Sequence, residues 1–201
     1  MNKNGNIFVV SAASGTGKTS VIAEVLKNNP EIRLSISHTT RSARDGEQNG
    51  VHYYFIDKNK FEQMIGEGAF VEHALVYGNY YGTSVAEIER IRQSGCDVIL
   101  EIDIQGAEQI RRQIPESIGV FILPPSIETL KQRLVQRNTD SPDAIETRLA
   151  SARGELEQAT LFDYLIVNDD LKTAAEQLSD IIRASRFRQE SNKEALISLL
   201  K

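Results

Sequence analysis

The stretch that most constrains this chain is residues 11–19, Ser-Ala-Ala-Ser-Gly-Thr-Gly-Lys-Thr. It follows the apolar run 7–10 and precedes a helix-like pattern at 21–26. A strand, a small-residue loop ending in Gly-Lys-Thr and a helix together favour a phosphate-binding P-loop. Small residues let backbone N–H groups turn inward, and the helix N-terminus adds a favourable dipole. The alternative is an ordinary strand–turn–helix that happens to carry a lysine.

The first position of this loop departs from the usual pattern, because Ala12 stands where glycine is expected. Alanine adopts a positive φ only at a cost, so we expect Ala12 to keep a negative φ. Within the loop, we expect Lys18 to reach the terminal phosphates and the Thr19 hydroxyl to bind Mg²⁺.

Composition limits the classes of protein to consider. With 201 residues, 40% of them hydrophobic and 25% charged, one soluble globular domain is expected. A net charge of -5 argues against nucleic-acid binding. No apolar run approaches the roughly 18 residues of a membrane span, and the first residues resemble no signal peptide, so a cytosolic protein without membrane contact is predicted. The single Cys96 cannot form an internal disulfide, and the choice between monomer and homo-oligomer stays open.

The order of apolar runs predicts an α/β fold. Buried-type strands are predicted at 97–103, 118–123 and 163–168, and helical patterns separate them, which is typical of a parallel central sheet. Residues from about 33 to 90 break this rhythm and indicate an inserted substrate-binding lobe. Strands are predicted there at 32–37, at 51–56 and within 70–81, and the tail from Ser191 is either an extra helix or frayed. Ser84 and Ser126 are predicted to cap the helices that follow them.

Polar residues are predicted where parallel strands end, which is where open α/β sheets bind ligands. The P-loop, the Glu101/Asp103 pair and Asn168 all occupy such positions. A second anion site is predicted at Arg41, Arg44 and Tyr53, because guanidinium groups and a phenol suit a phosphate. Solvated surface arginines are the alternative.

Glu72 interrupts an otherwise apolar and aromatic run, and a carboxylate in such a place needs a donor partner. Ser37, Tyr81 and Thr83 are candidates to line the same pocket. A carboxylate can accept from the adjacent N–H groups of a guanine edge, which adenine lacks. The alternative is a solvent-facing glutamate on an edge strand.

Taken together, these residues resemble the guanylate kinase family over roughly residues 5–185. The resemblance rests on the P-loop and on segments 35–44, 46–55, 70–74, 80–83, 101–106, 133–148 and 167–170. It implies a three-layer P-loop kinase with a parallel central sheet. The implied parts are a core (1–33, 91–130 and 160–201), a GMP-binding lobe (34–90) and a helical lid (about 131–159). The implied reaction transfers the γ-phosphoryl group of ATP to GMP, and also to dGMP, with Mg²⁺.

The resemblance also implies residue roles. The GMP phosphate is expected at Arg41, Arg44, Tyr53 and Tyr81, and guanine at Ser37, Glu72, Thr83 and Glu101, although many relatives carry Asp at the last position and Pro in place of Ala43. For ATP the implied residues are Ser14, Gly15, Thr16, Gly17, Lys18, Thr19, Ser20, Arg133 and Asn168. Of these, Arg133 and Asn168 are expected to contact adenine. The implied catalytic residues are Lys18, Arg41, Arg137 and Arg148, and Asp103 is expected to orient Mg²⁺ through water.

The lid arginines have a plainer alternative, a helix salt-bridged through Asp143 and Glu146. No catalytic base is required, because the acceptor phosphate is largely ionised at neutral pH. Two rival functions are a kinase for another small molecule, such as a ribose bisphosphate, and a non-catalytic protein-binding module of the same fold. The residues predicted to bind guanine argue against a kinase for a sugar phosphate. The presence of the P-loop and lid residues argues against a non-catalytic module.

Overall fold

The computed structural model describes residues 4–76, 78–136 and 142–200, and these form nine strands, eight α-helices and one short 3-10 helix, Gln158–Leu161. The strands are β1 (Ile7–Ala12), β2 (Ile32–Leu34), β3 (His38–Thr39), β4 (Tyr54–Phe55), β5 (Phe70–Val76), β6 (Asn79–Ser84), β7 (Asp97–Glu101), β8 (Ile118–Leu123) and β9 (Tyr164–Val167). The helices are α1 (Lys18–Asn28), α2 (Lys58–Gly66), α3 (Val85–Gln93), α4 (Ile104–Gln113), α5 (Ile127–Gln136), α6 (Pro142–Glu157), α7 (Leu171–Ser185) and α8 (Gln189–Leu199).

The main sheet has five strands in the order β2, β7, β1, β8, β9. β2 runs parallel to β7 with Ile32 opposite Asp97, and β8 runs parallel to β9 with Val120 opposite Tyr164. The middle of β7 is fully buried, as expected for a parallel strand covered on both faces. The α/β class predicted from the sequence is confirmed.

The chain divides into two compact units. The P-loop unit consists of Val10–Glu31 and Ile118–Lys201, and the lobe unit consists of Asn2–Val9 and Ile32–Ser117. The predicted division into core, GMP-binding lobe and lid stays a prediction.

The lobe unit contains a second sheet of four strands in the order β4, β3, β6, β5. β5 and β6 are antiparallel, with His73 opposite Gly82, and the register shifts between Phe70 and Glu72. Phe61 of α2 stacks on Phe70 at 4.4 Å between ring centroids and on Tyr80 at 5.0 Å. This aromatic stack packs α2 against strands β5 and β6.

Two strand predictions were too long. Of 51–56 only Tyr54–Phe55 is strand, because the peptide N–H groups of Val51 and His52 turn back to the Gln48 carbonyl. The Asn-Gly dipeptide at 49–50 favours a turn and overrides the β-branched and aromatic residues around it. The strand predicted at 32–37 ends at Leu34.

Local end signals were more reliable. The Ser84 hydroxyl accepts from the Glu87 N–H at 3.3 Å, and Ser126 likewise accepts from Thr129 at 3.0 Å. These are the caps that the sequence predicts for α3 and α5. The tail forms helix α8, and α5 is described only as far as Gln136. In the described ranges no helix has both the length and the apolar character needed to span a membrane.

Candidate active site

The P-loop follows directly from β1, whose last residue is Ala12, so this residue is extended as predicted. Gly15 and Gly17 have φ of 89° and 98°, a region that other residues avoid. A Cβ on Gly15 would lie 2.9 Å from Cδ2 of Leu134, and one on Gly17 would lie 2.7 Å from Nδ2 of Asn168. Both positions therefore require glycine for backbone conformation and for space.

The carbonyl of Thr16 is held from two sides. Nδ2 of Asn168 donates to it at 2.7 Å, and Nη1 of Arg133 donates at 3.0 Å. Nη2 of Arg133 also donates to the Asn168 carbonyl at 3.0 Å, which closes a small network. With the Thr16 carbonyl held in this network, the loop's conformation is fixed between its two glycines.

Arg133 and Asn168 are the residues for which contacts to adenine are predicted. Those contacts stay predictions, and the hydrogen bonds to the loop are an additional role that the sequence did not indicate. The two roles are compatible for Arg133, because its hydrogen bonds lie in the guanidinium plane and a base would stack on a face of that plane.

Helices α5 and α6 pack against the beginning of the P-loop. The Ser14 N–H donates to Oε2 of Glu155 at 2.9 Å. Arg148, a predicted catalytic residue, is half-buried on α6, and Arg137 lies outside the described residues. The apolar cluster that joins the helices to the loop contains Ala13, Leu130, Leu134, Leu149 and Ala152.

Lys18 and Thr19 begin helix α1. Lys18 is half-buried, whereas Thr19 and Ser20 are exposed on the first turn. These three residues lie at the positive end of the helix dipole, where anions are favoured. The P-loop unit thus contains the predicted phosphate-binding residues Ser14 to Ser20 in the loop and the first turn of α1.

In the lobe unit, Arg41 forms a two-pronged ion pair with Glu47. Nη2 and Nη1 of Arg41 lie 2.8 and 2.9 Å from the two carboxylate oxygens. Oε2 of Glu47 also accepts from the Arg44 N–H at 2.7 Å. The Arg41 hydrogen bonds, followed by that N–H, lower the pKa of Glu47 to about 2. Glu47 therefore bonds both arginines of the loop 41–47, the side chain of Arg41 and the backbone of Arg44.

Two tyrosines complete this cluster. Tyr53 lies under the Arg41 guanidinium, with 5.5 Å from Cζ to the ring centroid, and its ring is 5.9 Å from that of Tyr81. Burial raises the pKa of Tyr53, with smaller contributions from Tyr81 and Glu101. The structure therefore brings together three of the residues predicted to bind GMP, Arg41, Tyr53 and Tyr81. The side chain of Arg44 is exposed, and Ser37 is half-buried where its carbonyl accepts from the Tyr54 N–H.

Glu72 is only 6% exposed, which rules out the solvent-facing alternative. Oγ1 of Thr83, on the neighbouring strand, donates to its Oε1 at 2.6 Å. Burial raises the pKa of Glu72, the Thr83 hydrogen bond opposes that rise, and the charge of Asp103 adds to it. Asp103 caps α4 by accepting from the Gly106 N–H at 2.8 Å. Its predicted contact to Mg²⁺ stays a prediction.

Sequence reasoning missed two carboxylates. Glu47 was visible as an acidic residue six positions after Arg41, a spacing that a tight loop can bridge. Glu155 left no local signal, because it contacts Ser14 across 141 residues of chain. Among the described residues, no cluster of three or more His, Cys, Asp or Glu side chains could hold a metal ion.

A glycine-dependent loop of P-loop sequence on a parallel α/β sheet, together with an arginine–tyrosine cluster in the lobe unit, is typical of a P-loop nucleotide kinase. The family model described as guanylate kinase matches residues 4–185. Guanylate kinases of Neisseria meningitidis serogroup A and Legionella pneumophila strain Paris are each 50% identical, covering 98% and 99% of this chain and 97% of their own. The crystal structure of guanylate kinase from Anaplasma phagocytophilum superposes with a TM-score of 0.75 at 34% identity, over 93% of this chain and 89% of that one.

The chain therefore belongs to the guanylate kinase family. This membership confirms the family, the P-loop kinase fold and the enzyme class predicted from the sequence, a kinase of purine nucleotide metabolism that converts GMP to GDP with ATP.

Proposed function

We propose that the lobe unit binds GMP, or dGMP, and that the P-loop unit binds ATP and delivers its γ-phosphoryl group. One observation carries this assignment of roles. The lobe unit contains both a buried carboxylate, Glu72, and an arginine–tyrosine cluster around Arg41. A nucleoside monophosphate has matching parts, a base with polar edges and a doubly charged phosphate.

The acceptor phosphate is expected at Arg41, Arg44, Tyr53 and Tyr81. Arg41 is already oriented by Glu47 and by the Tyr53 ring, so little side-chain entropy is lost when an anion arrives. Its fork is partly engaged by Glu47, which leaves the exposed Arg44 as the group able to move toward the phosphate.

The base is expected at Glu72, with Thr83, Ser37 and Glu101 around it. Oε1 of Glu72 accepts from Thr83, and the carboxylate can accept further hydrogen bonds from the N–H groups on a guanine edge. Adenine would leave the buried carboxylate without these donors, which is a costly mismatch. Ribose contacts are not part of this set, and for that reason dGMP is included as an acceptor.

On the donor side, the loop N–H groups and Lys18 would bind the ATP phosphates. The loop's shape depends on Gly15, Gly17 and the bonded Thr16 carbonyl. Arg137 and Arg148 would neutralise charge on the transferring group, and Arg133 and Asn168 would contact adenine.

The chemistry of the donor set fits Mg²⁺. This hard cation takes oxygen ligands and is usually held by one or two protein groups together with substrate phosphates and water. The exposed Thr19 hydroxyl would be one ligand, and Asp103 would act through water. When bound with ATP, the ion would neutralise phosphate charge and hold the phosphates in one orientation.

Catalysis would consist of positioning and charge neutralisation. The attacking oxygen is already ionised, because the second pKa of a phosphate monoester is about 6. The side chains therefore need not remove a proton, and Lys18 with the arginines would stabilise charge as the phosphoryl group moves.

We also propose that the protein works in the cytoplasm.

The experiment is a coupled assay of ADP formation with a panel of nucleoside monophosphates. We expect turnover with GMP and dGMP and little or none with AMP, CMP or UMP. Equal turnover with AMP would contradict the role of Glu72, and turnover with ribose bisphosphate alone would contradict the proposed acceptor. ADP formation that no acceptor stimulates would indicate a nucleotide-binding protein that does not transfer phosphate.

A further inference from the structure

Helix α4 packs on β5, the strand that carries Glu72. The binding roles proposed above involve no residue of this helix. Gly106, in the first turn of α4, is buried. A Cβ built on Gly106 would lie 3.0 Å from Oε2 of Glu72, tighter than ordinary side-chain contact. Oε2, the carboxylate oxygen that does not accept from the Thr83 hydroxyl, therefore lies against the space that Gly106 leaves.

Gln109, one turn further along α4, holds the backbone of the same strand. Its Oε1 accepts from the His73 N–H at 3.2 Å, and its Nε2 donates to the His73 carbonyl at 3.1 Å. β5 is an edge strand, so its outer N–H and C=O groups lack a neighbouring strand. The Gln109 amide supplies the two hydrogen bonds that such a strand would have supplied.

We propose that Gly106 and Gln109 are positioning residues that set where the Glu72 carboxylate stands and thereby set the preference for guanine. Gln109 fixes the backbone beside Glu72, and Gly106 leaves room for Oε2. This proposal rests on the proposed function, because it assumes that Glu72 binds the base.

The helical conformation of Gly106 separates this role from a purely structural one. Its φ is not positive, so alanine would fit the backbone and would favour the helix. Because only the side-chain space opposes alanine, Gly106→Ala should preserve or raise thermal stability while displacing Glu72 by a few tenths of an ångström.

The test compares Gly106→Ala and Gln109→Met with wild type. The matched control is Gly66→Ala, since Gly66 is also a helical glycine of the lobe unit but has no atom within 4 Å of an added Cβ. We expect the KM for GMP to rise about tenfold in Gly106→Ala and severalfold in Gln109→Met, as misaligned hydrogen bonds to a charged group would produce. The KM for ATP should stay unchanged, kcat should stay within about twofold, and the preference for GMP over AMP should fall by a similar factor. The control should match wild type.

Wild-type KM and base preference in both variants would overturn the proposal, as would equal losses toward ATP and GMP. If Gly106→Ala does not fold, Gln109→Met alone decides, with the same outcomes. Calorimetric binding of GMP without ATP, performed on the same proteins, separates this proposal from the proposed reaction. A wild-type protein that binds GMP but does not phosphorylate it would refute the reaction, and the variants' GMP affinities would still decide the role of α4.

Discussion

The network around the Thr16 carbonyl leads to a sharp prediction for Asn168→Ala. The substitution removes the 2.7 Å hydrogen bond from Nδ2, and the bond from Arg133 remains. A neutral hydrogen bond contributes about 0.5–1.5 kcal/mol, and the small void at a position only 5% exposed adds to this, for a total of about 1–2 kcal/mol. For a chain of this size that corresponds to a fall in Tm of about 2–8 °C.

The same loss should appear in donor binding. If the released carbonyl lets the loop leave its binding conformation, the KM for ATP should rise about 5- to 30-fold, the factor that corresponds to about 1–2 kcal/mol. The KM for GMP should not change. Asp169→Ala is the matched control, because Asp169 is the exposed neighbour of Asn168 in the chain.

The donor panel distinguishes loop positioning from adenine recognition. A loop effect should weaken ATP, GTP and inorganic tripolyphosphate by the same factor, the last measured as a competitive inhibitor. If Asn168→Ala weakens ATP but leaves tripolyphosphate at its wild-type inhibition constant, the reasoning from the Thr16 carbonyl is refuted and adenine contact explains the loss.

Three further perturbations have defined expectations. Lys18→Met should lower kcat by at least about a hundredfold without changing Tm, and near-normal turnover would contradict the P-loop role. Glu47→Gln should raise the KM for GMP severalfold in steady-state assays, because a glutamine side chain has one acceptor oxygen and cannot bond both Nη1 and Nη2 of Arg41 as the carboxylate does. A lower KM would mean that Glu47 competes with the substrate. The raised pKa of Glu72 means that the folded state binds the proton more tightly, so stability should fall as pH rises from about 4.5 through the folded-state pKa. Thermal melts of Glu72→Gln should lack that part of the pH dependence, and a melting profile identical to wild type would remove Glu72 as its source.

Features set by neighbouring residues could be predicted from the sequence. The P-loop, the Ser84 cap and strand Ile118–Leu123 can be recognised from residue types a few positions apart, and each lies where the sequence predicts it. The turn before Tyr54 was not predicted, because residues 51–56 have high β propensity, whereas the turn begins at the Asn-Gly dipeptide just before them.

The partners within the site were harder to predict, because they are distant in the sequence. Asn168 bonds Thr16 across 152 residues, and Gln109 bonds His73 across 36. Hydrophobic periodicity predicts which face of an element is buried, but it does not say which polar side chain will meet a given carbonyl. The types of residue at the site could therefore be predicted, while the hydrogen bonds that orient them required the structure.

The glycines of the two units illustrate this limit. Gly15 and Gly17 follow a motif and have positive φ, so a turn explains them before any packing is considered. Gly106 has a helical φ, where glycine costs roughly 0.5–1 kcal/mol relative to alanine. No turn offsets that cost. An added Cβ would lie 3.0 Å from the Glu72 carboxylate, which is closer than ordinary contact, whereas Cβ of Ile102 at 3.4 Å and Oδ1 of Asp103 at 3.5 Å are at ordinary van der Waals distances. Among the described neighbours, alanine would crowd the Glu72 carboxylate, which the Thr83 hydroxyl holds in place, so the glycine at 106 is best explained by the position of Glu72.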